Sequence, residues 1–220
     1  MNELKNNYNK EIHENKKEIK SLKNEKHNQN NEIKKLKEQM KSMLKHIESK
    51  ENISELKNSL IINNNIEYYK SIKNWINPDK KIKGELLYRL SIDGDQISTF
   101  HLLCDNKGPT LTLFETKEGN KGGIYTPLSW DSNSEWKNDM KTFMFNLNKN
   151  QKYKKLKNEN SIYCNNSYGP WTYGFGFCGN MRKIDHVGSN INSQYEKGAE
   201  ILPNNSDFEV KEVEVYKIII

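Results

Sequence analysis

The first part of the chain carries its apolar residues at the spacing of a coiled-coil helix. With Ile12 at heptad position a, apolar side chains recur at the a positions Ile19, Ile33, Met40 and Ile47, and at the d positions Leu22, Leu36 and Met43. Lys26 and Gln29 interrupt this seam with polar side chains. The pattern predicts a helix from about residue 8 to residue 60. Because a lone helix in water cannot bury such a stripe, a partner strand is implied.

The same stretch has a second interpretation, an Asn- and Lys-rich disordered tail that happens to contain aliphatic residues. Asn is a weak helix former, which favours this interpretation. Past Ile47 the apolar residues Ile53, Leu56 and Leu60 continue with helical spacing but one place out of register, so the seam slips there within the predicted helix. The seven-residue recurrence and the absence of Gly and Pro favour the coiled coil. The partner is either a second copy of the chain or another protein, and a polar a position such as Lys26 helps to set the register.

The remainder of the chain changes to the two-residue period of β-strands, with one short helix between them. Residues 85–92 (ELLYRLSI) form a strand-like run. Ile97, Phe100 and Cys104 then recur at the spacing of one helix face. This helix is expected to end near Lys107, which a glycine follows.

Further strands are predicted where apolar and polar residues alternate. They comprise residues 110–116, 123–128, 143–147 and 207–220. In the last of these the alternation changes phase between Val210 and Val213, which a β-bulge near Lys211 explains. The pattern therefore predicts a β-rich domain after the helical arm.

Composition places a boundary between the two parts. The chain has 220 residues, of which 34% are hydrophobic and 29% charged, so a single large core is not expected. All 12 Gly and all 5 Pro lie at or after Pro78, and the part before it is rich in Asn, Lys and Glu. We therefore divide the chain into a helical coiled-coil arm over residues 1–77 and a globular domain over residues 78–220.

The charge pattern argues against nucleic acid as a partner. The formal net charge is +6, and over residues 1–60 the 14 Lys and 10 Glu are interleaved along the whole span. A nucleic-acid-binding arm would be a block of one sign, whereas mixed charges are typical of a solvated helix face. We interpret the denser cluster Lys152–Lys157 as a solvated loop, with contact to phosphate or anionic lipid as the alternative.

Cysteine usage and hydropathy favour a reducing, cytoplasmic location. Cys104, Cys164 and Cys178 are odd in number and show no close pairing pattern, which argues against a disulfide framework. The N-terminal residues contain no apolar core of a signal peptide. No apolar run approaches the roughly 18 residues that a transmembrane helix requires.

One short stretch, FHLLCD, places a His three residues before a Cys on the predicted helix. At this spacing His101 and Cys104 are neighbours, so half of a metal site or a His-activated thiol is geometrically possible. A zinc site would need a second close pair of Cys or His, and none of Cys164, Cys178 and His186 supplies one. The preferred interpretation is a small buried Cys104 beside Phe100, with His101 hydrogen-bonded to a loop.

A glycine motif in the C-terminal part resembles a dinucleotide-binding fingerprint. Residues 174–179 (GFGFCG) match G-x-G-x-x-G, and Glu196 follows about twenty residues later. The preceding SYGPWTY is not a buried parallel strand, and the following residues lack the apolar period of a phosphate-binding helix. We interpret these glycines as tight turns or close backbone crossings, and we expect no cofactor.

Six segments come in the order and spacing of the TLDc domain, and the chain resembles this family over about 135 residues. The segments are LLYRLSIDG (86–94), FHLLCDNKGPTLTL (100–113), GGIYTPLSW (122–130), FMFNL (143–147), SIYCNNSYGP (161–170) and FEVKEVEVYKI (208–218). The family-motif positions, structural or at an interface, are Phe100, His101, Cys104, Asp105, Gly108, Pro109, Thr110, Trp130, Gly169, Pro170, Glu212 and Glu214.

The resemblance implies an α+β fold, an antiparallel β-sandwich flanked by short helices, which the coiled-coil arm precedes. Members of the family are associated with protection against oxidative stress, and several bind the vacuolar-type proton-pumping ATPase and modulate its assembly. The family has no agreed catalytic mechanism or cofactor. We therefore expect a non-catalytic protein-binding module, without a metal, in the cytoplasm or at the surface of acidic organelles.

Two alternative functions remain open at this point. The first is an oxidative-stress effector that reacts directly through Cys104 or Cys178. The second is a coiled-coil scaffold in which the C-terminal domain is only a stable cap. Exposed candidates for partner contacts are Lys107, Asp131 and Trp136.

The chain departs from the family pattern in one region. Residues 174–187 contain fewer acidic and apolar residues than family members usually have after the G-P-x-F-G-x-G region. Gly188, Ser189 and Tyr195 still match the family pattern. A binding surface formed by this loop region is the least secure part of the resemblance.

Overall fold

The computed structural model describes residues 2–53, 56, 58–186, 193–196, 201–203 and 208–220. The chain divides into two compact units, Met1–Glu51 and Asn52–Ile220. The predicted Gly188 and Ser189 lie outside the described residues.

The first unit is a single long helix, which confirms the predicted N-terminal helix. Helix α1 spans Asn2–Ile53, 52 residues, a length of about 78 Å at the usual rise of ~1.5 Å per residue. Its large apolar side chains are between 49% and 67% exposed, namely Ile19, Leu22, Ile33, Leu36, Met40 and Met43. Their exposure leaves the predicted seam available to a partner.

The helix ends earlier than the sequence pattern predicts. Leu56 and Leu60 were expected to continue it, but both lie beyond its last residue, Ile53. Leu56 is buried in the core of the second unit, and the backbone N–H of Leu60 donates to the Glu214 carboxylate at 2.8 Å. Leu56 and Leu60 therefore belong to the second unit and not to the helical seam.

The second unit is an α+β domain built on antiparallel strands, as predicted. Its helices are α2 (Ile66–Ile76), α3 (Leu90–Asp93) and α4 (Ile97–Cys104). Its strands are β1 (Lys83–Arg89), β2 (Thr110–Thr116), β3 (Lys121–Thr126), β4 (Asn133–Lys137), β5 (Phe143–Asn146), β6 (Gln151–Lys154), β7 (Ile162–Asn165), β8 (Tyr168–Thr172), β9 (Phe175–Cys178), β10 (Lys183–His186) and β11 (Phe208–Ile219).

Nine of these strands form one large sheet. Its order is β6-β5-β3-β2-β11-β10-β9-β8, and β1 pairs with β11 as well. Strands β4 and β7 form a separate two-stranded sheet. Each of the strand pairs within the described residues is antiparallel. The last strand in sequence, β11, is thus central in the sheet and borders three others.

Several local predictions are confirmed. Strands β2, β3, β5 and β11 and helix α4 lie within or close to the predicted segments. The register between β11 and β2 shifts between Val210 and Glu212, so the predicted bulge at Lys211 is present. The predicted strand 85–92 is correct only to Arg89, because Leu90–Asp93 turn into α3.

The large sheet is buried on both faces. Alternate residues of β2 and β11 belong to two different core clusters, with Phe114 and Val213 in one. Leu113 and Tyr216 lie in the other, as does Phe145 of β5. A sheet that is apolar on both faces is stable only when both faces are covered.

The second face is covered by the chain segment that precedes β1. Up to the end of α2, its buried apolar residues are Leu56, Ile61, Ile62, Tyr69 and Ile72. Composition predicted a boundary between residues 77 and 78, whereas the compact units divide between Glu51 and Asn52. The reason for the difference is that α2, although free of Gly and Pro, supplies side chains that the sheet requires. The side chain of Asn65 caps α2, accepting from the N–H of Glu67 at 3.0 Å.

Candidate functional site

His101 lies on α4 and joins this helix to the turn between β7 and β8. Its Nδ1 is 2.8 Å from Oδ1 of Asp105. Its Nε2 is 3.0 Å from the carbonyl oxygen of Asn165 and 2.9 Å from that of Tyr168. Both ring nitrogens are thus within hydrogen-bonding distance of these three acceptors, which leaves neither nitrogen open to a metal or a substrate. His101 is therefore a structural clamp.

Cys104, on the next turn of α4, has the environment of an unreactive thiol. It is fully buried. Burial, followed by the negative charges of Asp105 and Asp93, raises the pKa of the Cys104 thiol far above its usual value. A buried thiol of this kind does not form the thiolate that nucleophilic or redox chemistry needs. The predicted pair of His101 and Cys104 is thus structural.

The other family-motif residues of this region surround a buried tryptophan. The indole N–H of Trp130 donates to Oγ1 of Thr110 at 2.9 Å. The Trp130 ring lies edge-on to Phe100, with centroids 6.0 Å apart. The backbone of Asp105 forms an isolated bridge with that of Trp130. These contacts fix the start of β2 against the end of α4.

The motif glycines permit close backbone approaches. A side-chain Cβ at Gly108, which precedes Pro109, would lie 2.5 Å from the carbonyl oxygen of Leu128. At Gly169, which precedes the buried Pro170, it would lie 2.5 Å from the sulfur of Met181. The neighbour of Gly108 is backbone, so glycine is required there, whereas a side chain at position 169 would have to displace the flexible end of Met181.

A buried carboxylate on β11 holds the entry of the chain into the domain. Glu214 is fully buried and accepts from Nε of Arg89 at 3.0 Å and from Nη2 at 2.7 Å. It also accepts from Oγ of Ser59 at 2.6 Å and from the N–H of Leu60 at 2.8 Å. Glu212 accepts from the N–H of Ser91 at 3.1 Å. The motif acids are therefore structural, and the ion pair to Arg89 compensates the charge of Glu214.

The remaining thiols are also unfavourable for direct chemistry. Cys164 is buried, and burial raises the pKa of its thiol to about 11. Cys178 is half-buried, and burial followed by the charge of Asp185 raises the pKa of its thiol. Across the described parts of the chain, no three side chains of His, Cys, Asp or Glu come together to hold a metal ion.

A row of partly exposed aromatic side chains crosses β4, β7 and β8. This aromatic strip consists of Trp136, Tyr163, Tyr168, Trp171 and Tyr173. Trp136, 37% exposed, lies 5.0 Å from the ring centre of Tyr163 and 5.9 Å from that of Tyr173. Tyr168 lies 5.6 Å from Tyr163 and 4.8 Å from Trp171. The five rings thus form one continuous surface.

Strand pairing explains why these rings meet. Trp136 of β4 and Tyr163 of β7 are directly opposed in the antiparallel register. On β7 the neighbours of Tyr163, Ile162 and Cys164, point into the core, so the alternation of the strand places the tyrosine outside. The strip therefore follows from the ordinary two-residue period once β4 and β7 are paired.

Comparison with known families supplies the identity of the domain. The sequence profile of the TLDc domain matches residues 56–219, about three quarters of the chain. The chain belongs to the TLDc domain family. A comparison with individually curated proteins found no match. The matched region includes α2 and begins after α1, so α1 lies outside the TLDc domain. At the family level this membership supports a protein-binding or oxidative-stress-related module.

Of the exposed candidates named from the sequence, Trp136 lies within the aromatic strip of the TLDc domain. Asp131 lies close to Trp136 in sequence. Asp131 pairs with Lys137 and accepts from the N–H of Asn133 at 3.0 Å. Burial acts to raise the pKa of Asp131, but the hydrogen bonds from Lys137 and Asn133 hold it below its usual value. Lys107 is exposed and is not part of the aromatic strip.

The other four aromatic residues of the strip were missed by sequence reasoning. Their signal is the run SIYCNNSYGPWTYG, residues 161–174, in which Tyr and Trp recur among Asn and Gly. Such a run is typical of exposed β-structure with recognition side chains. From the sequence alone, this run serves only the family resemblance and the argument against a dinucleotide-binding strand.

The lysine cluster 152–157 of the TLDc domain has a different role from the solvated loop that we predicted. Lys152 lies on β6, donates to the carbonyl oxygen of Trp75 at 2.8 Å and sits 4.0 Å from the ring centre of Phe143. Lys155 is buried beside Tyr195, and burial lowers the pKa of its ammonium group to about 8. At least two of the lysines are therefore tied into the structure.

The described residues contain no helix with the length and apolar character needed to cross a bilayer.

Proposed function

We propose that the TLDc domain is a non-catalytic protein-binding module and that the aromatic strip is its contact surface. The observation that supports this function is the continuous ring contact of five partly exposed Trp and Tyr side chains. Trp and Tyr are the residues most enriched at the energetic centres of protein interfaces, because they bury much apolar area and keep a polar group available. The buried state of Cys104 and the occupied nitrogens of His101 favour binding over catalysis.

The partner suggested by the family resemblance is the vacuolar-type proton-pumping ATPase. A module of this kind acts through binding energy alone, by having a higher affinity for one assembly state of its partner than for the other. It needs no nucleophile and no cofactor. A location in the cytoplasm, including the surface of acidic organelles, belongs to the same proposal.

The test uses the full-length chain and the purified proton pump. We expect Trp136→Ala to weaken binding by tenfold or more, since truncating a central interface aromatic typically costs about 2 kcal/mol. Ile92→Ala is the matched control, because Ile92 is a large apolar residue, 70% exposed, on α3 rather than on the strip. Affinity, ATPase rate and subunit release are measured for all three chains.

The outcomes separate the surface from the partner. If Trp136→Ala and Ile92→Ala bind the pump as the unchanged chain does, the strip is not the contact surface. If the unchanged chain neither binds the pump nor alters its activity, the pump is not the partner.

The thiol-based alternative has less structural support. It would depend on Cys178, since Cys104 is fully buried and its pKa is strongly raised. Full protective activity of Cys178→Ser in oxidatively stressed cells is expected for a binding module. Its loss in a folded variant would instead favour direct thiol chemistry.

The arm is proposed to associate with another helix, either in a second copy of the chain or in a different protein. Its support is the exposed apolar seam of α1. The scaffold function would follow from this association if the TLDc domain contributed no binding of its own.

A further inference from the structure

We propose that the arm pairs with a second copy of the chain as a parallel, in-register, two-stranded coiled coil. The proposal rests on the association role of the arm given above and names the partner. The arm seam consists of Ile19, Leu22, Lys26, Gln29, Ile33, Leu36, Met40 and Met43, at alternating a and d positions. All eight lie on α1, and all are exposed.

The residue types of the seam favour two strands. Ile19 and Ile33 occupy a positions, and Leu22 and Leu36 occupy the d positions that follow them. β-Branched residues at a combined with Leu at d are typical of parallel dimers rather than trimers or tetramers. In a dimer, the long side chain of Lys26 can also leave the seam and reach water.

The charges beside the seam are complementary between two copies of this same helix. The g positions of three consecutive heptads are Glu18, Glu25 and Glu32, and the e positions that follow them are Lys23, Asn30 and Lys37. All six are exposed on α1. In a parallel in-register dimer each g side chain lies beside the e side chain five residues further along the other helix.

This arrangement produces two kinds of attractive pair and no repulsive one among these positions. Glu18 meets the partner's Lys23, and Glu32 meets the partner's Lys37. Glu25 meets the partner's Asn30, a neutral contact. Because the dimer is symmetric, each attractive pair occurs twice.

The antiparallel alternative gives the opposite result. In that orientation g positions face g positions and e positions face e positions. The three Glu would face one another, and so would Lys23 and Lys37. Like charges at every flanking contact except that of the neutral Asn30 oppose this orientation.

The central polar residues oppose a shifted register. In register, Lys26 meets its own copy and Gln29 meets its own copy, so the two polar layers stay together. A shift by one heptad would place Lys26 against Ile19 or Ile33, so that polar side chains face apolar ones in two separate layers. The flanking charges and the polar seam positions of this helix thus match those of an identical helix. Pairing with a second copy requires such self-complementarity, whereas pairing with a different protein does not.

A parallel dimer has a consequence for binding. The two α1 helices end side by side, so both TLDc domains follow from the same end of the coil. Two strips on one particle can engage two sites of an assembly, and the second contact then forms at a high effective concentration.

Charge reversal in the full-length chain tests both partner and orientation. One variant carries Glu18→Lys and Glu32→Lys, and a second carries Lys23→Glu and Lys37→Glu. Sedimentation equilibrium at micromolar concentration measures the mass and dimer dissociation constant of each alone and of the two mixed.

A parallel homodimer predicts that each variant alone dimerises at least tenfold more weakly than the unchanged chain and that the mixture recovers the original affinity. Variants that dimerise as well as the unchanged chain would overturn the parallel orientation. An unchanged chain that stays monomeric, or forms a trimer, would overturn the two-stranded self-pairing. Pump binding is measured separately, so either proposal can fail alone.

A disulfide measurement tests the register. Leu22→Cys at position d is compared with Ser21→Cys, which lies at the outward-facing position c, both in a Cys178→Ser background. An in-register dimer places the two Cys introduced at position 22 side by side, so at least tenfold faster cross-linking is expected at 22 than at 21. Equal rates at the two positions would contradict the proposed register.

Discussion

The arm and the TLDc domain use the same aliphatic residue types in opposite ways. Ile19 and Ile33 of α1 expose about half of their side chains, whereas Ile124 of β3 and Ile184 of β10 are fully buried. The difference lies in periodicity. Heptad spacing gives one narrow stripe that only another helix can cover, and alternation gives a sheet that the same chain can cover. Domain stability is therefore intrinsic to the chain, while the proposed pairing of the arm would make arm stability depend on concentration.

The largest expected effect concerns where the two regions meet. A chain that begins at residue 52 should fold, whereas a chain that begins at residue 78 loses five buried side chains that cover the sheet, from Leu56 to Ile72. At about 1.5 to 3 kcal/mol each, their loss is on the order of 10 kcal/mol, which is comparable with the whole stability of a domain. Circular dichroism and solubility of the two fragments measure this, and a well-folded chain from residue 78 would contradict the boundary.

The buried carboxylate of β11 should be next in effect. Glu214→Ala leaves Arg89 buried without its counter-ion and leaves Ser59 without its acceptor. The expected loss is about 3 to 5 kcal/mol in the free energy of unfolding, measured with urea. Glu209→Ala is the control, because Glu209 is exposed on the same strand. Equal losses of unfolding free energy in both variants would show that the hydrogen bonds of Glu214 do not stabilise the domain specifically.

A seam substitution should affect the arm alone. Ile33→Ala removes three carbon atoms from each helix of the proposed dimer, about 2 kcal/mol per copy at ~0.8 kcal/mol per buried methylene. We expect weaker dimerisation in sedimentation and an unchanged unfolding midpoint of the domain. Lys34→Ala, on the adjacent exposed position, is the control. A change in the domain midpoint would mean that the two regions are not energetically independent.

The pH dependence of the domain should carry the smallest signal. Burial lowers the pKa of Lys155 from 10.5 to about 8, so between these values the unfolded chain binds more protons than the folded one. Stability therefore rises with pH, by about 1 to 2 kcal/mol from pH 8 to 10. Urea unfolding of the unchanged chain and Lys155→Met across this range measures it, and equal slopes in both chains would contradict the assignment.

Local patterns of the sequence predicted local structure well. The heptads predicted α1, the alternating segments predicted the central strands, and the phase change at Lys211 predicted the bulge. The one-place shift of the apolar residues at Ile53 also marked the end of α1, although we interpreted it as a shift within a longer helix. Each of these signals lies within a few residues of its effect.

The features that could not be predicted depend on contacts between distant residues. Trp136 meets Tyr163 only because β4 pairs with β7. The partners of His101 lie 64 and 67 residues further along the chain. Composition places the domain boundary at the first Pro, because it records where the chain turns, whereas the compact units divide between Glu51 and Asn52.

The ties from Glu214 to Ser59 and Leu60 have a mechanical consequence. Tension applied to the chain at Ser59 and Leu60 would therefore act on β11. This strand is bordered by β1, β2 and β10, and at Glu214 itself it is paired on both sides, with Arg89 and Leu113. Such a force would act on a central strand that is hydrogen-bonded on both sides, and not on an edge strand that could be peeled away.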